Sequence, residues 1–145
     1  MSHIRAALPA FAALAVLAGC AGPAPGPAAP GARVYAIDLQ GGAKACKASA
    51  VTPEAGKTVA AKIRVGNSGG WCAIAVSQGS KDAPEPYAAG LLTARPLHGR
   101  VYIHTVGSAT RIDYTPNAGY AGPDRFAVSL LPGGAGIDAQ VTVTR

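Results

Sequence analysis

The 145-residue sequence is poor in the residue types that most metal and catalytic sites need. It has seven Asp and Glu against 13 Lys and Arg, with three His and three Cys. Calcium sites gather several carboxylates, so this acid-poor composition argues against one. No basic run is interleaved with aromatic residues, which argues against nucleic-acid binding. We therefore predict a scattered basic surface with, at most, weak attraction to anionic polymers or lipids.

Catalytic motifs are also missing. The sequence lacks Gly-x-Ser-x-Gly, Cys-x-x-Cys and an obvious carboxylate pair, and Gly133–Gly136 precedes a predicted strand, as a hairpin turn does. His98 and His104 are six residues apart on one predicted strand, roughly 20 Å if extended, too far to share a metal unless the strand bends. We predict no catalytic residue, no cofactor and no metal, with an unrecognised envelope enzyme as the remote alternative.

The apolar stretch Ala6–Ala18 is too short and Ala-rich for a membrane span, which needs about 20 apolar residues. Arg5 precedes it, Pro9 interrupts it, and the small residue Gly19 closes it before Cys20. A basic residue, a short apolar run and small residues at its end are the layout of a secretory signal.

Leu17-Ala18-Gly19-Cys20 resembles the lipobox of bacterial lipoproteins. The resemblance implies a signal peptide over residues 1–19, cleavage before Cys20, and a diacylglycerol on the Cys20 thiol. Two or three acyl chains would anchor the chain stably to a membrane. By the sorting rule of enteric-type bacteria, Ala21 implies the periplasmic face of the outer membrane. An ordinary signal peptide with an incidental Cys20 is the alternative.

Residues 20–32 are predicted to be the lipidated cysteine and a flexible tether. Ala21–Gly31 contains only Ala, Gly and Pro, so it has nothing to bury in a core. The prolines favour extended polyproline II, at about 3.1 Å per residue, which gives a reach of roughly 30 Å.

Residues 33–145 form the predicted folded domain. Short alternating or β-branched runs separated by Gly, Pro, Asn and Asp indicate an all-β sandwich or barrel. One more short strand is expected near Tyr87–Thr93. The predicted strands are Val34–Leu39, Thr58–Val65, Trp71–Ser77, Arg100–Thr105, Thr110–Tyr114, Arg125–Leu131 and Asp138–Thr144.

Residues 95–145 resemble the bacterial Ig-like and cadherin-like repeats of envelope and surface proteins. The resemblance implies a single Ig-like β-sandwich and no catalysis. The matching positions are Pro96, His98, Gly99, Tyr114, Pro116, Gly119, Tyr120, Gly122, Asp124, Phe126, Val141 and Val143.

This motif has a physical rationale. Tyr114 and Phe126 are expected to pack on neighbouring strands, and Pro116 and Gly119 to turn the chain. Gly122-Pro123-Asp124 would form a second turn, in which the Asp124 carboxylate accepts backbone N–H groups. A calcium ligand is the rival interpretation of Asp124.

Once Cys20 is assigned to the lipid, Cys46 and Cys72 are the two cysteines that remain. In an exported chain, two remaining cysteines favour a disulfide. Closing a loop of that size stabilises a domain by about 3 kcal/mol in the chain-entropy model. A metal pair or a redox pair is the alternative, but neither has a supporting motif.

Trp71 precedes Cys72, so the two side chains point to opposite faces of an extended strand. If Cys72 points inward, Trp71 is either an exposed aromatic or is covered by the loop around Tyr87. An exposed Trp71, with Tyr87 and Tyr102, would offer a platform for a ligand such as a sugar ring.

Together these features predict a non-enzymatic envelope lipoprotein whose Ig-like domain is a binding or structural module. A carbohydrate- or peptidoglycan-associating module is the alternative. The expected partners are the membrane, through the lipid, and an envelope protein or polysaccharide.

Overall fold

A computed structural model describes residues 34–145. The predicted signal peptide, the Cys20 anchor and the tether lie outside these residues. Within them, no helix is long and apolar enough to span a membrane. The elements are α1 (Ala36–Gln40), β1 (Cys46–Ala48), β2 (Thr58–Gly66), β3 (Cys72–Val76), β4 (Gln78–Gly79), β5 (Pro84–Glu85), β6 (Ala89–Ala94), β7 (Gly99–Val106), β8 (Ala109–Pro116), β9 (Gly122–Leu131) and β10 (Ala135–Thr144).

The strands form two main sheets, ordered β1-β2-β10-β9-β6 and β3-β8-β7, with β4 and β5 as a separate pair. All pairings are antiparallel except β2 with β10. In Ig nomenclature, β3, β8 and β7 correspond to strands B, E and D, and β6, β9 and β10 to C, F and G. The all-β sandwich expected from the sequence is confirmed.

The core lies between the two sheets, where alternate residues of each strand are buried. β9 contributes Phe126, Val128 and Leu130, and β8 contributes Ile112 and Tyr114, all almost fully buried. The Tyr114 and Phe126 rings stack with centroids 5.9 Å apart. Because β8 and β9 belong to different sheets, this pair packs across the sandwich and not on neighbouring strands as predicted.

Asp124 holds the region of the Ig-like motif together. Its carboxylate accepts the backbone N–H groups of Leu97 (3.0 Å), His98 (2.9 Å) and Arg125 (2.9 Å), and the Tyr114 hydroxyl (2.8 Å). Burial raises the pKa of Asp124, but these donors outweigh it and leave the pKa below its usual value. Asp124 thus accepts backbone N–H groups, as the sequence predicted for its carboxylate.

The turns around this motif differ in part from the prediction. Gly119 has a φ of 76° and lies in the turn that follows Pro116, the last residue of β8, as predicted. The predicted second turn at Gly122-Pro123-Asp124 is wrong, because these residues pair with Val143, Thr142 and Val141 as the start of β9.

The N-terminal end of the domain also differs from the prediction. Val34–Leu39 was expected to be a strand, but α1 begins at Ala36, with the Asp38 carboxylate accepting the Tyr35 N–H (3.2 Å). Three short strands, β1, β4 and β5, were not predicted. The strand expected near Tyr87–Thr93 is β6, Ala89–Ala94.

Cys46 and Cys72 form the predicted disulfide. Cys46 lies in β1 of the larger sheet and Cys72 begins β3 of the smaller one, so the bond links the two layers. It closes a loop with a sequence separation of 26 residues.

We expect no free thiol in the denatured, unreduced mature chain in which Cys20 is replaced by Ser. Reduction should lower its free energy of unfolding by about 3 kcal/mol, because the unfolded chain regains the entropy of the open loop. Thiol titration and urea unfolding with and without reductant measure both quantities. Two titratable thiols before reduction would contradict the bond, and a Cys46→Ala, Cys72→Ala variant controls for other effects of the reductant.

Candidate functional site

The outer face of the three-stranded sheet is covered by residues 35–43, named the strap here. The Trp71 indole N–H donates to the Ile37 carbonyl (3.0 Å), and the Ala43 N–H donates to the Trp71 carbonyl (2.7 Å). A methyl group at Gly70 would lie 2.4 Å from backbone atoms of Gly42 and Ala43. The strap can approach this closely only because residue 70 has no side chain.

A buried polar network fastens the strap to β8. Arg111 donates from Nε and Nη2 to the two carboxylate oxygens of Asp113 (2.8 and 3.0 Å), and from Nη2 to Asp38 of α1. The guanidinium also lies 4.2 Å above the Trp71 ring. The hydrogen bond from Arg111 lowers the pKa of Asp38. The Arg111 guanidinium therefore contacts the strap, β8 and Trp71.

His104 extends this network on β7. Its Nε2 lies 2.9 Å from the Asp113 carboxylate, and the Tyr35 ring meets the imidazole edge-on, with centroids 4.4 Å apart. The side chains of His104 and Asp113 are 1% and 0% exposed. A general base must come within hydrogen-bond reach of a substrate proton. This His–Asp pair is sealed beneath the strap, so its geometry suits a structural role.

An open cleft of about 310 Å³ lies between α1 and strands β7 and β8. The side bordered by the strap is formed by Ala36, Ile37 and Gln40, and the Arg100 guanidinium donates to the Gln40 side-chain oxygen (3.1 Å). Strand residues including Tyr102, Asp113 and Thr115 line the other side. This recess is named the strap cleft here.

Thr115 contributes an unusual group to the strap cleft. The residue is 3% exposed, and its hydroxyl has no hydrogen-bond partner among residues 34–145. Buried hydroxyl groups are normally paired, because leaving one unpaired costs roughly 1–3 kcal/mol.

The three aromatic residues predicted to form a binding surface have different positions. Trp71 points away from the core, as predicted, but is half-buried beneath the strap. Tyr87 is 8% exposed and belongs to the core, so its predicted place on that surface is wrong, and it does not cover Trp71. Tyr102 is 44% exposed at the strap cleft.

The two histidines of the domain lie in separate environments. His98 stacks on the Tyr120 ring at 4.0 Å, whereas His104 belongs to the buried network. Across residues 34–145, no three His, Cys, Asp or Glu side chains are grouped closely enough to hold a metal.

The opposite face of the sandwich carries a basic groove of about 510 Å³. Lys47 pairs across β1 and β2 with Arg64, and Lys62 lies two residues before Arg64 on the same face. In the part of the chain that the structure describes, none of these three cations forms a salt bridge.

Comparisons with models of protein families, with curated proteins and with solved structures gave no match. The features of the described residues that bear on function are the strap, the buried network, the strap cleft and the basic groove.

Proposed function

We propose that the protein is a lipid-anchored, non-enzymatic binding module of the bacterial cell envelope. The lipobox-like sequence ending at Cys20 supports the location, and the Ig-like sandwich is compatible with a module that displays surfaces. No single fold implies a function, so the proposal depends on the site and not on the fold class.

The fixed strap is the observation that carries this proposal. The residues that directly follow the predicted tether are joined to the sheet by the Asp38–Arg111 ion pair, by the hydrogen bond from the Trp71 indole, and by backbone bonds up to Ala43. The segment next to the predicted tether is thus attached to the sheet through side-chain and backbone contacts. The strap cleft is bordered by strap residues that follow the predicted tether in the sequence.

The sealed His104–Asp113 pair supports binding over catalysis. The groups that would be needed for proton transfer have almost no exposed surface, whereas Tyr102 is 44% exposed at the strap cleft. The exposed Tyr102 favours a carbohydrate- or peptidoglycan-associating module as the more specific form of the proposal.

Replacing Cys20 with Ser tests the anchor. In a diderm bacterium fed a clickable palmitate analogue, we expect the wild-type protein to be labelled and to sediment with the outer membrane. The Cys20→Ser variant should be unlabelled and leave the membrane fraction, because the thiol that carries the lipid is gone.

A second variant, Ala21→Asp, keeps the thiol and serves as the matched control. It should remain labelled but move towards the inner membrane if the enteric sorting rule applies. An unlabelled wild-type protein, released in soluble form, would contradict the proposal and favour an ordinary signal peptide.

A further inference from the structure

We propose that the strap cleft binds one neutral sugar ring, with Thr115 and Tyr102 as its main contacts. This inference rests on the proposed function in one respect: it names the ligand class of the proposed binding module. It concerns only residues 35–43 and the outer face of β7 and β8.

The unpaired Thr115 hydroxyl is the first argument. It can donate one hydrogen bond and accept others, yet no described protein group satisfies it. Thr115 lines the strap cleft, but its hydroxyl has almost no exposed surface, so a ligand hydroxyl would reach it only after a small outward movement of the strap. A ligand hydroxyl would supply the missing partner and recover what its burial costs.

The mixed lining of the strap cleft is the second argument. Ile37 and the Tyr102 ring provide apolar contact, and Gln40 provides an amide beside Thr115. Binding sites for small molecules combine mostly apolar walls with a few polar groups that fix orientation. A pyranose ring matches this lining, because its faces are apolar and its edge carries hydroxyl groups.

Charge is the third argument, and it favours an uncharged ligand. Asp113 lines the strap cleft, but its carboxylate already accepts hydrogen bonds from Arg111 and is paired with His104. Arg100 is exposed and is engaged with Gln40. Neither residue offers an uncompensated charge buried in the cleft for an ion to neutralise.

The cleft is large enough for one sugar ring. Its volume of about 310 Å³ is near the lower end of the range of small-molecule sites, roughly 300–1,000 Å³. Because the cleft is open, the ring can be one unit of a longer glycan that continues into solvent.

The test uses the chain from residue 20 onward with Cys20→Ser, titrated with N-acetylglucosamine and glucose by isothermal calorimetry. We expect saturable binding of at least one sugar, with a dissociation constant in the millimolar range. Thr115→Val and Tyr102→Ala should each weaken it about tenfold, and Tyr102→Phe should retain it.

The stability of Thr115→Val shows whether Thr115 serves ligand binding or the fold. Thr115→Val removes an unpaired hydroxyl and keeps the side chain's shape, so its midpoint of urea unfolding should be unchanged or higher. A variant with Lys62→Gln and Arg64→Gln controls for the basic groove and should bind the sugar normally.

Two results would overturn the inference: no saturable binding of either sugar at tens of millimolar, or binding that is lost in the Lys62→Gln, Arg64→Gln variant and retained in Thr115→Val. Because the assay uses a chain without lipid, its failure is distinguishable from failure of the anchor, which is measured by palmitate labelling.

Discussion

Replacing Arg111 with Met is expected to lower the free energy of unfolding by about 3–5 kcal/mol, the range seen when one partner of a buried ion pair is removed. Asp113 is fully buried and would keep only the His104 imidazole as a side-chain hydrogen-bond partner among the described residues. Because Met fills a similar volume, the loss of stability would come mainly from removal of the Arg111 charge and not from poorer packing. Urea unfolding measures it. Arg64→Met, at an exposed arginine on the other sheet, is the control and should change stability by no more than about 0.5 kcal/mol.

Arg111→Met should also loosen the strap, because Arg111 binds Asp38 and covers the ring of Trp71. Trp71 is the one tryptophan in the sequence, so its emission reports directly on this contact. We expect the emission maximum of Trp71 fluorescence to shift to longer wavelength in Arg111→Met and to stay unchanged in Arg64→Met.

A double-mutant cycle with Asp38→Asn isolates the bond to the strap. The effect of Asp38→Asn on stability should be clear in the wild-type background and almost vanish in Arg111→Met. Equal effects in both backgrounds, with unchanged emission, would mean that this ion pair does not hold the strap.

Asp124→Ala is expected to lower the free energy of unfolding by about 3–4 kcal/mol. The truncation leaves several hydrogen-bond donors without an acceptor, and each buried donor left unpaired costs roughly 1–3 kcal/mol. The Tyr114 hydroxyl and the backbone N–H of His98 lose their acceptor together. Tyr114 is 0% exposed, so its hydroxyl cannot easily turn to water. Asp82→Ala, at an exposed loop carboxylate, is the control. A loss below 1 kcal/mol would contradict the structural role of Asp124.

The depressed pKa of Asp124 also predicts a pH dependence. The unfolded state takes up the proton first, near the ordinary value of 3.8. The stabilisation by the Asp124 carboxylate is therefore complete above that pH and is lost as the pH falls through the lower pKa of the folded state. Asp38 and Asp138 also have lowered pKa values and act in the same direction.

Asp124→Asn should therefore flatten, but not abolish, the loss of stability between neutral pH and pH values below 3.8. Asp82→Asn should leave the slope as in the wild type. Urea unfolding across this range measures the slopes. A steeper slope in Asp124→Asn would contradict the sign of the shift.

The strands of the sandwich were predictable because their alternation is a local property. β2, β3, β7, β8, β9 and β10 all lie within a few residues of the predicted ranges. Val34–Leu39 misled the prediction, because a short alternating run does not reveal whether a sheet edge is available to it. In the structure this segment faces the flat side of a sheet, where a helical turn can place Ile37 and Asp38 against Trp71 and Arg111.

The candidate site was harder to predict than the fold. The outward direction of Trp71 followed from its position beside Cys72, but what covers it depends on a segment about 30 residues earlier. The His104–Asp113 pair depends on the register of β7 with β8, which places His104 opposite Arg111. The alternation of Arg111 and Asp113 with buried Ile112 was the available signal, because it puts both charges on one face of the strand.

In the proposed module, the ligand binds in the strap cleft. Amide and side-chain NMR of the chain from residue 20 with Cys20→Ser, titrated with the sugar that calorimetry selects, tests it most directly. We predict saturable shifts concentrated at Ile37, Gln40, Tyr102 and Thr115. Shifts confined to Lys47, Lys62 and Arg64, or no shifts at all, would contradict it.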